Sequence, residues 1–127
     1  MSRAKGLLFC HEVKAILQAE GHLVDGPYFK PIWFGGKTNV VHKDIFDVAD
    51  LISFFLGGFY LHQVSDVSNK SSKVKAIQDK NIPCWVWGRT KEGNKVMYRV
   101  WVCINGKVLE DTPRWKGSRA DGAKEQH

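Results

Sequence analysis

The feature that most constrains the fold is a pair of apolar, strand-length runs separated by two glycines. Residues 48–56 and 59–66 are rich in β-branched and aromatic side chains, and Gly57-Gly58 stands between them. Strands joined by two residues that accept positive φ form a tight hairpin with a primed turn. The sequence therefore predicts a β-hairpin over 48–66, with a register that its turn fixes.

This register brings polar side chains together on one face of the hairpin. With both glycines in the turn, the opposed pairs are Leu56 with Phe59, Ile52 with Gln63, and Asp50 with Ser65. Because side chains alternate along a strand, we expect Asp50 beside Ser65 and diagonal to Gln63. Carboxylate and carboxamide oxygens are hard ligands of the kind that Mg²⁺ accepts. The hairpin therefore predicts a Mg²⁺ or Mn²⁺ site that includes Asp50 and Gln63.

Two helical patterns flank the hairpin. Over residues 5–20 apolar side chains recur at helical spacing up to the stop signal Gly21, which predicts a helix with one face on the core. Glu12 lies at the edge of that face and is a possible third oxygen ligand. A second, basic helix is predicted from Ser68 or Asn69 to Lys80, directly behind the hairpin.

The remaining segments predict further strands. Residues 22–44 mix β-formers with Gly and Pro, which favours short or edge strands and a flexible basic loop around Lys37. The patterns of residues 84–89 and 95–106 predict two more strands. The order α-β-β-β-α-β-β predicts an α/β sandwich with a mixed sheet. We expect one domain over residues 1–115 and a disordered polar tail over 116–127.

The charge of the chain favours a polyanionic partner. Nineteen Lys and Arg face 13 Asp and Glu, for a net charge of +6. The lysines expected to contact nucleic acid are Lys37, Lys43, Lys70, Lys73 and Lys75. The three cysteines have no disulfide or zinc spacing, and no apolar run reaches membrane-spanning length. We therefore expect a cytoplasmic protein that is not membrane-embedded.

Together these features resemble the PD-(D/E)XK nuclease superfamily, in particular its small members similar to archaeal and phage Holliday junction resolvases. The similarity spans about residues 5–101. In that superfamily a Glu on the first helix, an Asp beginning the second core strand and a (D/E)-X-K tripeptide on the third form a metal site. The matching positions here are Glu12, Asp50 and Gln63-Val64-Ser65.

The resemblance implies a restriction-endonuclease-like α/β/α core with a mixed central β-sheet, an N-terminal helix and a helix after the core hairpin. It also implies a Mg²⁺- or Mn²⁺-dependent endodeoxyribonuclease, with branched or Holliday junction DNA as the more specific substrate. A junction-cutting enzyme of this kind would act as a C2 homodimer. Its place would be the cytoplasm of a bacterial, archaeal or phage-infected cell, at the nucleoid.

Two positions depart from the superfamily pattern. Gln63 replaces the acid of the tripeptide and Ser65 replaces its lysine, which in that superfamily helps position water and stabilise charge at the phosphate. The following helix offers Lys73, and next Lys70, as replacements. The predicted catalytic set is therefore Glu12, Asp50, Gln63, Lys73 and Lys70. The alternatives are an inactive nuclease-fold module that binds nucleic acid, and a structural or protein-interaction domain.

Other titratable residues are given structural roles by the sequence. His11, His42 and His62 do not form a set, and none is predicted to bind a metal. Asp44 and Asp47 are typical turn residues, although Asp44 could enter the site from its loop.

Overall fold

Six strands form one mixed sheet, and a two-stranded hairpin stands apart from it. The structure is a computed structural model that describes residues 3–117. Its elements are α1 (Arg3–Ala19), β1 (Leu23–Asp25), β2 (Tyr28–Phe34), β3 (Lys37–Lys43), β4 (Leu51–Phe55), β5 (Gly58–Asp66), a 3₁₀ turn (Val67–Asn69), α2 (Lys70–Lys80), β6 (Cys84–Glu92), β7 (Lys95–Ile104) and β8 (Lys107–Trp115).

The large sheet has the order β1-β4-β5-β6-β7-β8, and every neighbouring pair is antiparallel except β5 and β6. A parallel pair needs a crossover connection, which α2 provides. The expected α/β class with a mixed central sheet and two helices is confirmed.

Each face of the sheet packs against one helix. On one face Val13 and Leu17 of α1 are fully buried and belong to the same apolar cluster as Trp87 and Tyr98. On the other face Ile77 of α2 is buried in a second cluster. Burial of this apolar surface is the main force that holds the helices on the sheet.

A chain of buried polar side chains crosses the α1 face. The indole N–H of Trp87 donates to Nδ1 of His62 at 3.0 Å, Nε2 of His62 lies 2.8 Å from Ser53 Oγ, and Ser53 Oγ lies 2.9 Å from Nδ1 of His22. Because an indole can only donate, Nδ1 of His62 carries no proton and Nε2 donates to Ser53. Burial lowers the pKa of His62 to about 3. His62 is therefore a neutral structural residue, as the sequence predicts.

The predicted register of the β4–β5 hairpin is wrong by two residues. The observed partners include Ile52 with Leu61 and Phe54 with Phe59. The turn consists of Leu56 (φ 50°) and Gly57 (φ 82°), and Gly58 already belongs to β5. The shift places the rings of Phe54 and Phe59 against each other at 4.9 Å, a favourable cross-strand pair. Since a shift of two preserves the alternation of side chains, the predicted faces are unchanged.

The hairpin strand is also shorter at its start than predicted. Residues 46–49 form a tight reversal in place of strand, and β4 begins at Leu51. Amide N–H groups of Val48 and Ala49 both donate to the carbonyl of Ile45, at 3.1 and 3.0 Å. This reversal folds the chain back beside the start of β4.

Several other boundaries differ from the prediction. Lys37 begins β3 and pairs with Phe34, so the loop consists of Gly35 and Gly36 alone, with φ of 60° and 78°. The sequence analysis predicts no strand over β8, an edge strand that contains Pro113. Residues 118–127 of the predicted tail lie outside the described part of the chain. Within residues 3–117 no helix is long and apolar enough to cross a membrane.

Candidate metal centre

Asp50 lies immediately before β4 and is held by two backbone hydrogen bonds. Its amide donates to the carbonyl of His62 at 2.7 Å, and its Oδ2 accepts from the amide of Val64 at 2.7 Å. The second bond uses an amide of β5 beyond the last residue that pairs with β4. The carboxylate, with 7% of the side chain exposed, therefore has a fixed orientation and leaves Oδ1 toward the neighbouring loop.

The end of β3 and the loop after it bring two more ligand-type side chains to this carboxylate. Nε2 of His42 lies 3.3 Å from Asp50 Oδ1, and Nδ1 of the same ring lies 3.6 Å from Asp44 Oδ1. One ligand atom from each of the three residues falls within 4.8 Å of the others. Asp44 thus enters the site from its loop, as the sequence allowed, and His42 joins it against expectation.

A cleft of about 350 Å³ adjoins this cluster and is also lined by Gln63 and Lys73. Oε1 of Gln63 is buried, and within residues 3–117 it accepts no hydrogen bond. A buried carbonyl oxygen without a donor is unfavourable by about 1–3 kcal/mol. Asp50, Gln63 and Lys73 therefore line one cleft, and Oε1 of Gln63 has no donor in the part of the chain that the structure describes.

The electrostatics of Asp50 follow from its burial. Burial raises the pKa of its carboxyl to about 6, and the charge of Asp44 acts in the same direction. The Val64 amide, His42 and the positive charge of Lys73 oppose the shift without cancelling it. In the metal-free protein desolvation therefore destabilises the ionised Asp50 carboxylate, and a nearby cation would stabilise it.

The donor set fits a hard or borderline divalent cation. Two carboxylates and a carboxamide oxygen suit Mg²⁺ or Mn²⁺, and a neutral imidazole is a ligand that Mn²⁺ and later transition metals accept more readily than Mg²⁺. The partnerless Gln63 oxygen is the observation that a cation would explain best. The cluster is partly buried: Asp50 is enclosed, and His42 and Asp44 are partly exposed.

Glu12 does not take part in this cluster. Its carboxylate accepts hydrogen bonds from Arg89 Nε at 2.8 Å and from Tyr98 Oη at 2.6 Å, and Lys116 Nζ lies 3.1 Å away. Burial alone would raise the pKa of Glu12, but these donors outweigh it and hold the pKa below its ordinary value. Both oxygens are already engaged on the α1 face, so Glu12 is removed from the ligand set.

The predicted lysines are spread over several surfaces. Lys73 reaches the cleft, whereas Nζ of Lys70 lies over the ring of Trp101, 4.8 Å from its centroid. Lys75 pairs with Asp79 at 3.6 Å on the exposed side of α2. Lys37 and Lys43 occupy the two ends of β3. The structure thus favours Lys73 over Lys70 as the lysine near the cluster.

No family model, curated protein or solved structure matches this chain. The functional assignment therefore rests on the chemistry of the cleft itself.

His42 is the residue that sequence reasoning missed. A usable signal was the spacing of His42 and Asp44 at the end of a strand, since residues two apart in an extended segment point to the same side. That spacing did not show that the segment returns to Asp50, because the return depends on the reversal at 46–49.

Proposed function

We propose that this protein is a metal-dependent DNA endonuclease whose cation is held by Asp50, Gln63, Asp44 and His42. The observation that carries the proposal is the buried Oε1 of Gln63, which accepts no hydrogen bond within the described residues, on a residue that lines the same cleft as Asp50. A divalent cation bound there would polarise a phosphodiester and lower the pKa of an attacking water. The proposal includes Mg²⁺ or Mn²⁺ as the cofactor.

The protein's own groups have distinct tasks in this scheme. The Val64 amide keeps the Asp50 carboxylate oriented, which fixes the ligand geometry before substrate arrives. Lys73 places a positive charge beside the cleft, where it would stabilise negative charge that develops on a phosphate.

The architecture supports the finer fold proposal. A helix, a hairpin whose first strand directly follows Asp50, and a crossover helix leading to a parallel strand follow in the order that the PD-(D/E)XK superfamily uses. We extend the proposal to a restriction-endonuclease-like α/β/α core. The net charge of +6 supports DNA as the polyanion. Branched or Holliday junction DNA, a C2 homodimer and a cytoplasmic location remain predictions.

The test is cleavage of a labelled four-way junction and a matched linear duplex with Mg²⁺ or Mn²⁺. Wild-type protein is expected to cut in a metal-dependent manner, and Asp50→Ala is expected to lose that activity. Asp79→Ala, which removes an exposed carboxylate of α2, serves as the matched control and should cut normally. Cutting that survives Asp50→Ala, or that proceeds in excess chelator, would refute the assignment.

One observation favours a second candidate, an inactive nuclease-fold module that binds nucleic acid. Ser65 occupies the position of the superfamily lysine, and its hydroxyl donates to the carbonyl of Asp66 at 3.0 Å, so it offers no charge to a phosphate. This candidate predicts binding that weakens steeply with salt, no metal-dependent cutting and no loss of affinity in Asp50→Ala.

A further inference from the structure

A second cleft opens beside the metal cluster, at the base of the β2–β3 hairpin. It has a volume of about 550 Å³, and its lining includes the aromatic residues Tyr28, Phe29 and Phe46. Phe29 and Asp44 line both this cleft and the first cleft, the one at the metal cluster, so the two clefts are neighbours. A ligand in the first cleft would therefore have its neighbouring group at the second.

The side chain of Phe46 is placed in this cleft by an unfavourable backbone conformation. Phe46 and Asp47 have φ values of 54° and 62°, and the amide of Val48 donates to the carbonyl of Ile45 at 3.1 Å. This is the pattern of a type I′ turn, in which Asn, Asp and Gly are preferred at the central positions. Phe is a poor choice for the turn, and a residue in this region is often held there for function.

Core packing does not account for the ring either. Phe46 is 67% exposed, and Phe29 is 42% exposed on the neighbouring hairpin. Phe29 and Phe46, which line the second cleft, are two exposed aromatic rings on which flat groups can stack.

The charged side chains of the second cleft indicate which class of flat ligand it binds. Lys30 and Lys43 line it beside the aromatic residues. An aromatic platform with flanking lysines is the combination that binds single-stranded nucleic acid, since the rings stack on bases and the lysines meet phosphates. A neutral apolar peptide would make no use of the two lysines.

We propose that the second cleft binds an unpaired base of the DNA substrate. The base stacks on Phe46 and Phe29, next to a phosphate that lies in the first cleft. The proposal rests on the proposed function and specifies its substrate class. A base inside a continuous duplex has both faces covered by its neighbours, so it has no face to offer Phe46. The preferred substrates are therefore DNA with unpaired or splayed nucleotides at a flap, gap or branch point.

The test compares binding of a fluorescent oligothymidine strand and of a fully paired duplex by wild type and Phe46→Asn, in buffer with chelator so that nothing is cut. The variant is expected to bind the single strand about 5- to 100-fold more weakly and the duplex unchanged. Because Asn accepts positive φ, the melting temperature of the variant should rise. Phe46→Trp, which keeps an aromatic ring for stacking, should bind the single strand about as tightly as the wild type does.

Phe59→Ala is the matched control, since Phe59 is a 71% exposed aromatic residue of the β4–β5 hairpin that lines neither cleft. It should bind both DNAs as the wild type does. The proposal is overturned if Phe46→Asn keeps its single-strand affinity, if the wild type shows no preference for unpaired DNA, or if binding and melting temperature fall together in Phe46→Asn.

A cleavage assay on the same proteins separates this proposal from the proposed function. Metal-dependent cutting by wild type, with unchanged substrate preference in Phe46→Asn, would keep the nuclease and reject the base-binding cleft. Loss of single-strand binding in Phe46→Asn, with no cutting by any of the proteins, would keep the cleft and reject the nuclease.

Discussion

Replacing Asp50 with Asn should stabilise the metal-free protein while abolishing its metal site. Burial raises the pKa of Asp50 to about 6, from an ordinary value of 3.8. A shift of about two pKa units corresponds to about 3 kcal/mol of destabilisation when the group is ionised. Asn keeps the shape and still accepts the hydrogen bond from the Val64 amide, so most of this penalty should disappear.

The pH dependence has a defined sign. Because the pKa of Asp50 is higher in the folded than in the unfolded protein, the folded state binds more protons between pH 3.8 and about 6. The free energy of unfolding of wild type therefore falls as pH rises from 3.8 to about 6. Above pH 6 Asp50 is ionised, and its full destabilising effect is present. The difference between Asp50→Asn and wild type should be small near pH 4 and should reach about 3 kcal/mol above pH 6.

The assay is chemical denaturation at several pH values in chelator, followed by thermal melts with and without Mn²⁺. The gain above pH 6 should raise the melting temperature by about 10 °C, and Mn²⁺ should stabilise wild type but not the variant. Asp79→Asn, at an exposed carboxylate, should change stability by less than about 0.5 kcal/mol. A variant that is less stable than wild type above pH 6, or one that still responds to Mn²⁺, would refute the reasoning.

Four further predictions test the site and its supports. Lys73→Ala should lower cleavage by about 100-fold or more with Mn²⁺ binding intact; unchanged cleavage would exclude a role at the phosphate. His42→Ala should weaken Mn²⁺ binding more than Mg²⁺ binding by calorimetry, and equal losses would remove the imidazole from the ligand set. Gly26→Ala should destabilise the protein by about 2 kcal/mol or more in denaturation, since Gly26 has φ of 101° and an added Cβ would meet the Asp50 carbonyl at 2.6 Å. Leu56→Asn should stabilise the protein by about 1 kcal/mol, because Leu56 is 86% exposed with φ of 50°, and a lower melting temperature would contradict this account.

The face assignments of the β4–β5 hairpin were predictable, whereas its register was not. Alternation along a strand depends only on the sequence, so Gln63 and His62 were placed on opposite faces correctly. The register depended on which residues take positive φ. The sequence favoured Gly57-Gly58, but the chain uses Leu56-Gly57, and the cross-strand contact of Phe54 with Phe59 accompanies that choice.

The missed strand β8 has a similar explanation. Pro113 argues against a strand in the interior of a sheet, because proline cannot donate to the ladder. β8 lies at the edge of the sheet and pairs only with β7 within the described residues, so the missing N–H can face away from the partner. Edge position is a property of the whole sheet, and local sequence does not reveal it.

Tertiary contacts also decide which residues are candidate metal ligands. Glu12 has the residue type and helix position expected of a ligand, but Arg89 reaches it from β6, a strand far away in sequence. His42 was discounted as a lone histidine, but the reversal at 46–49 returns its strand to Asp50. In both cases a contact between distant segments, rather than the residue type, determines the role.

The strongest argument for a ligand in the first cleft is that two separate costs meet there. A buried carboxyl with a raised pKa and a buried amide oxygen that has no donor among residues 3–117 are each unfavourable in the free protein. A stability-driven sequence would remove either one with an apolar side chain at Asp50 or Gln63. A divalent cation offsets both at once, since it neutralises the carboxylate and accepts the oxygen lone pair. The presence of both residues in the lining of one cleft is therefore better explained by a bound cation than by either residue alone.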